Sequence, residues 1–280
     1  MSEGRTQVRV GRWRVTALRD AEFALDGGAM FGVVPRTLWE RLTPVHEDHT
    51  VPLAANPFLL QDGTHTVVVE PGLGQRWDDK QRAMFHITHA SGGLVASLAA
   101  AGVAPEEVTH CLMSHGHWDH IGALCGADGR PVFPRAAHWM PESEKRAALD
   151  PDHLRRASYR QEDLLPVVEA GLLQTFSGEQ EVLPGLRMVE LGGHSDGVSL
   201  VLLEDGGETA CFWADVVPTR HHVHLPFIMA YDMNAEKSWR VRSEWIPRAA
   251  AGGWWNLLYH DLERPIVRFE HDGRRYRAAD

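Results

Sequence analysis

Three cysteines in 280 residues, Cys111, Cys125 and Cys211, are too few and too scattered for a disulfide framework or a cysteine-based zinc site. Two of them sit in the apolar runs CLM and ACFWA, where a free thiol packs as a small hydrophobe. Positive charge is also scarce: 28 Lys plus Arg stand against 38 Asp plus Glu, a formal net charge of -10. That balance would repel nucleic acid and anionic membrane, so neither is expected as a partner. A polyanionic substrate is disfavoured unless the site is locally positive. Long hydrophobic runs are missing too. The longest uncharged stretch, Ala90 to Pro105, is too short and too rich in Gly and Ala to cross a bilayer. The opening MSEGRTQVRVGRWRV has no apolar core behind its basic residues, so it does not read as a secretory signal, and the expected compartment is cytoplasmic. Neither a fixed-period repeat nor a low-complexity tract nor a Ser/Pro-rich linker divides the chain, so a single domain spanning 1–280 is expected.

What remains, 44% hydrophobic and 24% charged residues, suits a soluble globular enzyme with a substantial core. Alternating or continuous apolar residues mark strands at 8–10, 13–17, 58–60 and 67–69, the last two around the turn residues Asp62-Gly63. A helix is expected from Ser91, as N-cap, to Ala101, with Leu94 and Leu98 four apart and Gly102 as its stop. A short strand follows over 108–114. Helices are expected over 143–149 and 161–170, with Pro166 kinking or restarting the second, and over 235–250, with Asn234 as N-cap and Gly252 as stop. Strands are expected over 186–191, 199–203, 209–214 and 254–259. A β-meander followed by mixed β and α elements predicts an α+β fold, a four-layer αββα sandwich with two sheets face to face.

Histidine is abundant, 17 in all, and its placement carries the chemistry. In Ser114-His115-Gly116-His117-Trp118-Asp119-His120, which follows the strand VTHCLM, four of six positions from His115 are metal-ligand types. Imidazole suits zinc and neighbouring transition metals, and a carboxylate adds charge and a hard oxygen. In a loop at a strand's end His115 and His117 can converge on one ion and leave Asp119 and His120 to face a second. One such segment cannot close either site, because a catalytic zinc needs at least three protein ligands. The missing donors stand after later apolar runs: His194 behind Gly192-Gly193, Asp215 behind 209–214, and His260 behind 254–259. Ends of consecutive strands gather along one sheet edge, as a ligand cluster requires.

This set resembles the metallo-β-lactamase superfamily, and in order and spacing its dinuclear hydrolase branch, which includes N-acyl homoserine lactone lactonases and methyl parathion hydrolase. The segments Asp26-Gly27-Gly28-Ala29-Met30-Phe31-Gly32 and Glu70-Pro71-Gly72-Leu73-Gly74 are similar to that branch as well. The resemblance implies two divalent metal ions per chain, zinc first, with manganese, iron or cobalt open. It implies that His115, His117 and His194 bind one ion, that Asp119, His120 and His260 bind the other, and that Asp215 bridges them. Asp119 would also be catalytic, orienting the attacking hydroxide and shuttling the proton to the leaving group. Glu70 stands where the family commonly has Asp.

For the pocket walls the resemblance points to Met30, Phe31, Phe85, His86, Trp118, Trp139, His221, His222, His224 and Phe227. Pro218 and Thr219 follow the bridging aspartate where similar lactonases carry a tyrosine, so a nearby His or Tyr231 would hold the oxyanion, or the metals would suffice. The expected function is hydrolysis of a small, fairly apolar ester-like substrate, a lactone first and an aryl ester or phosphotriester second, by a metal-bridging hydroxide. Alternatives are a mononuclear iron persulfide-oxidising enzyme and a glyoxalase II-like thioester hydrolase. The expected partner is a small-molecule substrate, with a homodimer left open.

Overall fold

The computed structural model describes residues 4–279. Its first nine strands are β1 (Gln7–Val10), β2 (Trp13–Ala17), β3 (Ala21–Asp26), β4 (Thr50–Ala55), β5 (Phe58–Gln61), β6 (Thr66–Val69), β7 (His110–Leu112), β8 (Ala137–Pro141) and β9 (Leu173–Phe176). The remainder are β10 (Glu179–Leu183), β11 (Leu186–Glu190), β12 (Ser199–Asp205), β13 (Glu208–Phe212), β14 (Trp255–Leu257), β15 (Ile266–His271) and β16 (Tyr276–Ala279). One seven-stranded sheet runs β1-β2-β5-β6-β7-β8-β9 and a second runs β10 through β16 in chain order, while β3 and β4 pair antiparallel as a separate two-stranded ribbon. The first sheet is antiparallel up to β6 and parallel from β6 to β9. In the second, only β13 and β14 run parallel.

Side-chain alternation sets the layers. Phe58, Leu60, Val67, Val69 and Leu112 point into a core shared with Leu186, Met188 and Phe212 of the second sheet. Their neighbours Leu59, Val68 and Cys111 point the other way, onto Leu94, Leu98, Leu164 and Val167 of the helices Leu94–Ala100 and Gln161–Glu169. On the far side, Trp245, Ile246 and Ala249 of the helix Ala235–Ala251 complete the larger core, and that helix packs on β15. Helix, sheet, sheet and helix make the four-layer αββα sandwich. Burying one such aliphatic side chain contributes about 1.5–3 kcal/mol. A one-residue slip would turn a whole row outward, so register along β5 and β6 is tightly specified.

Three local expectations differ in the structure. The helix begins at Leu94, behind Gly93, rather than behind Ser91. Buried Asp20 accepts the Leu94 N–H at 2.8 Å, while the Ser91 hydroxyl donates to the Arg19 carbonyl. Pro166 lies inside an unbroken helix. The Glu162 carbonyl, which a residue at 166 would otherwise satisfy, accepts from Arg76 at 3.1 Å. The strands β7, β13 and β14 are shorter than expected, because the chain leaves each of them early to present the polar residues described next. Asn234 caps the long helix by accepting from Lys237 N, and Gly252 closes it. Among the described residues no helix is long and apolar enough to cross a membrane.

Candidate metal centre

Each polar group of the centre is delivered by a strand that stops short. Beyond β7 the chain turns through Ser114, whose N–H donates to Glu70 Oε1 at 2.7 Å, and enters the helical turn Trp118–Ile121 that carries Asp119 and His120. His194 follows β11 through Gly192 and Gly193, both at positive φ (69° and 115°). A Cβ on Gly193 would lie 2.7 Å from Ser238 Oγ and 2.9 Å from Ser238 N, so the turn requires glycine. Asp215 sits in the short 3-10 turn after β13, and His260 three residues beyond β14.

The seven residues meet in two triples joined by one carboxylate. Donor atoms of His115, His117 and His194 lie within 4.8 Å of one another, as do those of Asp119, His120 and His260. Asp215 Oδ2 is 3.1 Å from His194 Nε2, while its Oδ1 is 3.0 Å from His260 Nε2 and 3.3 Å from His120 Nε2. The outer nitrogens of two rings are spoken for: His194 Nδ1 donates to Asp232 Oδ1 at 3.0 Å and His260 Nδ1 to the Ala54 carbonyl at 2.9 Å. Their Nε2 lone pairs therefore point inward. His194 Nε2 then faces His117 Nδ1 at 3.1 Å, and His260 Nε2 faces His120 Nε2 at 3.2 Å.

Two imidazole nitrogens held this close in a buried place need a proton or a cation between them. His115 Nε2 and Asp215 Oδ1 are buried without a well-formed hydrogen bond, an arrangement that would be costly if nothing else bound there. Neutral imidazoles and carboxylates are the donor set of divalent transition metals, so these residues fit two such ions. The electrostatics agree. Burial pushes the His115 and His117 pKa values well below the usual histidine range, helped by repulsion from His120 and His194. Burial would raise the Asp215 pKa, yet His260, His120 and His194 around it hold it well below the ordinary carboxylate value. Burial would likewise lower His120, and Asp215 and Asp119 raise it instead.

A cleft of about 260 Å³ opens onto the centre, and His117, Asp119, His194, Asp215 and His260 form its floor. Of the expected wall residues, the structure brings Met30, Phe85 and Trp118 to it. Phe31 and His221 instead line a separate cavity of about 70 Å³, which shares Met30 and His260 with the cleft. The Phe31 ring stacks between Trp39 at 5.2 Å and His222 at 5.1 Å, which takes it out of the cleft. His224 and Phe227 pack on each other at 5.1 Å and line neither space. His222 donates to the Met30 carbonyl, His86 pairs with Asp48, and Trp139 packs against the core between the sheets. The other wall residues, Leu25, Leu154, Arg155, Ser158, Tyr159 and Met233, carried no sequence signal that would single them out. Tyr231 also lines the cleft, and its hydroxyl has no hydrogen-bond partner among the described residues.

Residues 50–260 match the family description "Metallo-beta-lactamase superfamily". The chain belongs to that superfamily. The N-acyl homoserine lactonase of Bacillus cereus is 26% identical over 157 residues, 52% of this chain and 57% of that protein. N-acyl homoserine lactonase AttM of Rhizobium radiobacter is 30% identical over 125 residues, 41% and 44% of the two chains. The chain thus spans little more than half the length of the curated relatives it matches. Among solved structures, a probable metal-dependent hydrolase from Staphylococcus aureus superposes with a TM-score of 0.91 at 28% identity, covering 98% of this chain and 99% of the other. A dizinc quorum-quenching lactonase in complex with a product has a TM-score of 0.82 at 15% identity, over 99% and 97%, and shares the fold.

Proposed function

We propose that this protein is a dinuclear hydrolase of small, fairly apolar, uncharged esters, lactones first and aryl esters or phosphotriesters second. In this reading His115, His117 and His194 hold one ion, Asp119, His120 and His260 hold the other, and Asp215 bridges them, with zinc as the metal. The observation that carries it is Asp215, whose two oxygens reach one triple each. The chain acts as a single domain, which the mixed origin of the first triple supports: two of its histidines follow the first sheet's β7 and the third follows the second sheet's β11.

When bound, two such ions polarise a scissile carbonyl and make water nucleophilic near neutral pH. The chain's own residues do the rest. Asp119, on the cleft floor, takes the proton released as water attacks and returns it to the leaving oxygen. Tyr231 offers its free phenol to the developing oxyanion. Met30, Phe85, Trp118 and Leu25 seat apolar groups and keep bulk water out. The cleft's cation, Arg155, is paired with Asp152 at 2.6 Å and Asp196 at 3.0 Å, which suits a neutral substrate better than a carboxylate-rich one.

The test is a hydrolysis screen over lactones, aryl esters, thioesters and phosphotriesters on protein of measured metal content. Highest kcat/KM on lactones, with close to two ions per chain, is the expected result. A clear preference for thioesters, or one ion per chain under metal-replete conditions, would overturn the reading.

A further inference from the structure

Glu144 lies in the first turn of the helix Glu142–Leu149, is fully buried, and makes no ion pair among the described residues. A buried carboxylate is tolerated only when its lone pairs are taken up, and here three donors converge on it. Its Oε2 accepts from Gly116 N at 3.1 Å and from the Tyr159 hydroxyl at 3.1 Å, and its Oε1 accepts from Gly197 N at 2.7 Å. The placement of those donors is what matters. Gly116 stands between His115 and His117, and Gly197 is the third residue after His194. One carboxylate therefore ties together the two loops, from different sheets, that supply all three histidines of the first triple.

The tie extends to the cleft. The Tyr159 ring meets the His117 ring edge to face at 4.9 Å and forms part of the cleft wall. A Cβ on Gly116 would come within 3.1 Å of both Ala148 and Tyr159, so the loop is pressed against helix and phenol alike. None of the donors to Glu144 belongs to Asp119, His120 or His260. We infer that Glu144, acting through Gly116, Gly197 and Tyr159, is a positioning residue that sets the separation of His117 and His194 and so governs retention of the first ion without governing the second. This rests on the dinuclear reading given above.

Glu144→Gln places an amide N–H₂ among three donors and leaves one acceptor oxygen for them. Tyr159→Phe keeps the ring and removes one of the three bonds. Cobalt-loaded wild-type and variant proteins would be titrated with a chelator, following bound metal by elemental analysis and site geometry by the visible cobalt spectrum. His194→Ala and His260→Ala serve as references for the loss of each ion. In Glu144→Gln the first ion should leave at roughly tenfold lower chelator concentration, the scale of a lost supporting contact at a metal site, and the second at the wild-type concentration. Tyr159→Phe should show the same asymmetry at about threefold, and it decides the matter if the Gln variant does not fold. Equal weakening of both ions, or none, with a shift only in the melting temperature of the metal-free protein, would reduce Glu144 to a structural role. Wild-type protein holding fewer than two ions would overturn the dinuclear reading instead, before any variant is compared.

Discussion

Both triples join the segment after β7 of the first sheet to a loop of the second, the first through His194 beyond β11 and the second through His260 beyond β14. Their supports differ. Around the first triple they are side chains: Asp232 on His194, Glu144 under the flanking glycines, and the Ser114 hydroxyl at 2.8 Å from His115 Nδ1. Around the second, main chain and side chain share the work: the Ala54 carbonyl fixes His260 and Gly72 N donates to the His120 carbonyl at 3.0 Å, while the Tyr259 hydroxyl donates to the Asp119 carbonyl at 2.7 Å and Glu70 Oε2 lies 3.7 Å from His120 Nδ1. A backbone carbonyl cannot be lost to a point mutation, while a carboxylate can. The first triple, held by side chains alone, is thus the more adjustable half of the centre.

Asp215 belongs to both halves, so Asp215→Ala should erase the contrast. Loss of both ions and a fall in kcat/KM of roughly a thousandfold or more is expected, from the several kcal/mol that metal charge supplies, checked by metal analysis beside steady-state kinetics. Single-ligand variants should restore it: His120→Ala or His260→Ala should shed chiefly the second ion, and His194→Ala the first. His271→Ala is the matched control, since that side chain is exposed at the end of β15 beside the Asp272-Gly273 turn. Activity loss as large for His271 as for His260 would show the last ligand to be misplaced. A smaller effect is expected from Asp232→Asn, which keeps the shape but weakens the bond to His194 Nδ1. It should loosen the first ion by about 10–100-fold and leave the second unchanged in a chelator titration.

The smallest effect lies outside the centre. Burial lowers the His138 pKa from 6.5 to about 4. Between those values the unfolded chain holds a proton that the folded one refuses, so this group's share of stability is complete above the unfolded value and is lost as pH falls toward the folded one. Each pH unit in that window costs up to ~1.4 kcal/mol. His138→Phe should therefore flatten the acid limb of a melting-temperature profile, and an unchanged slope would contradict the burial argument.

Much of this is legible in the sequence. The strands 58–60 and 67–69 announce themselves by unbroken apolar runs, and His115 to His120 by ligand types packed into six positions. His194, Asp215 and His260 stand out because each ends an apolar run. What stayed hidden depends on distant segments. β3 reads Ala-Glu-Phe-Ala-Leu-Asp, a composition as suited to helix as to strand, and it is strand only because β4 pairs with it. Glu144, Asp232 and Arg155 look like any surface charge in a linear reading, since the partners of Glu144 lie 15 to 53 residues away, that of Asp232 38 away, and Arg155 reaches Asp196 41 residues on. Phe31, His221, His224 and Phe227 were expected at the cleft on resemblance, and local ring stacking draws Phe31 elsewhere.

The β3–β4 pair hydrogen-bonds as a ribbon of its own, outside both seven-stranded sheets. Its two ends do different work: Leu25 near the tip of β3 lines the cleft, and Ala54 near the end of β4 holds His260 through its carbonyl. Any residue at 54 offers that carbonyl, although Ala54 is fully buried and a bulky side chain there would overpack the core, while Leu25 reaches the cleft only through its side chain. Change at Leu25 can therefore reshape the cleft wall while leaving in place the carbonyl that orients His260.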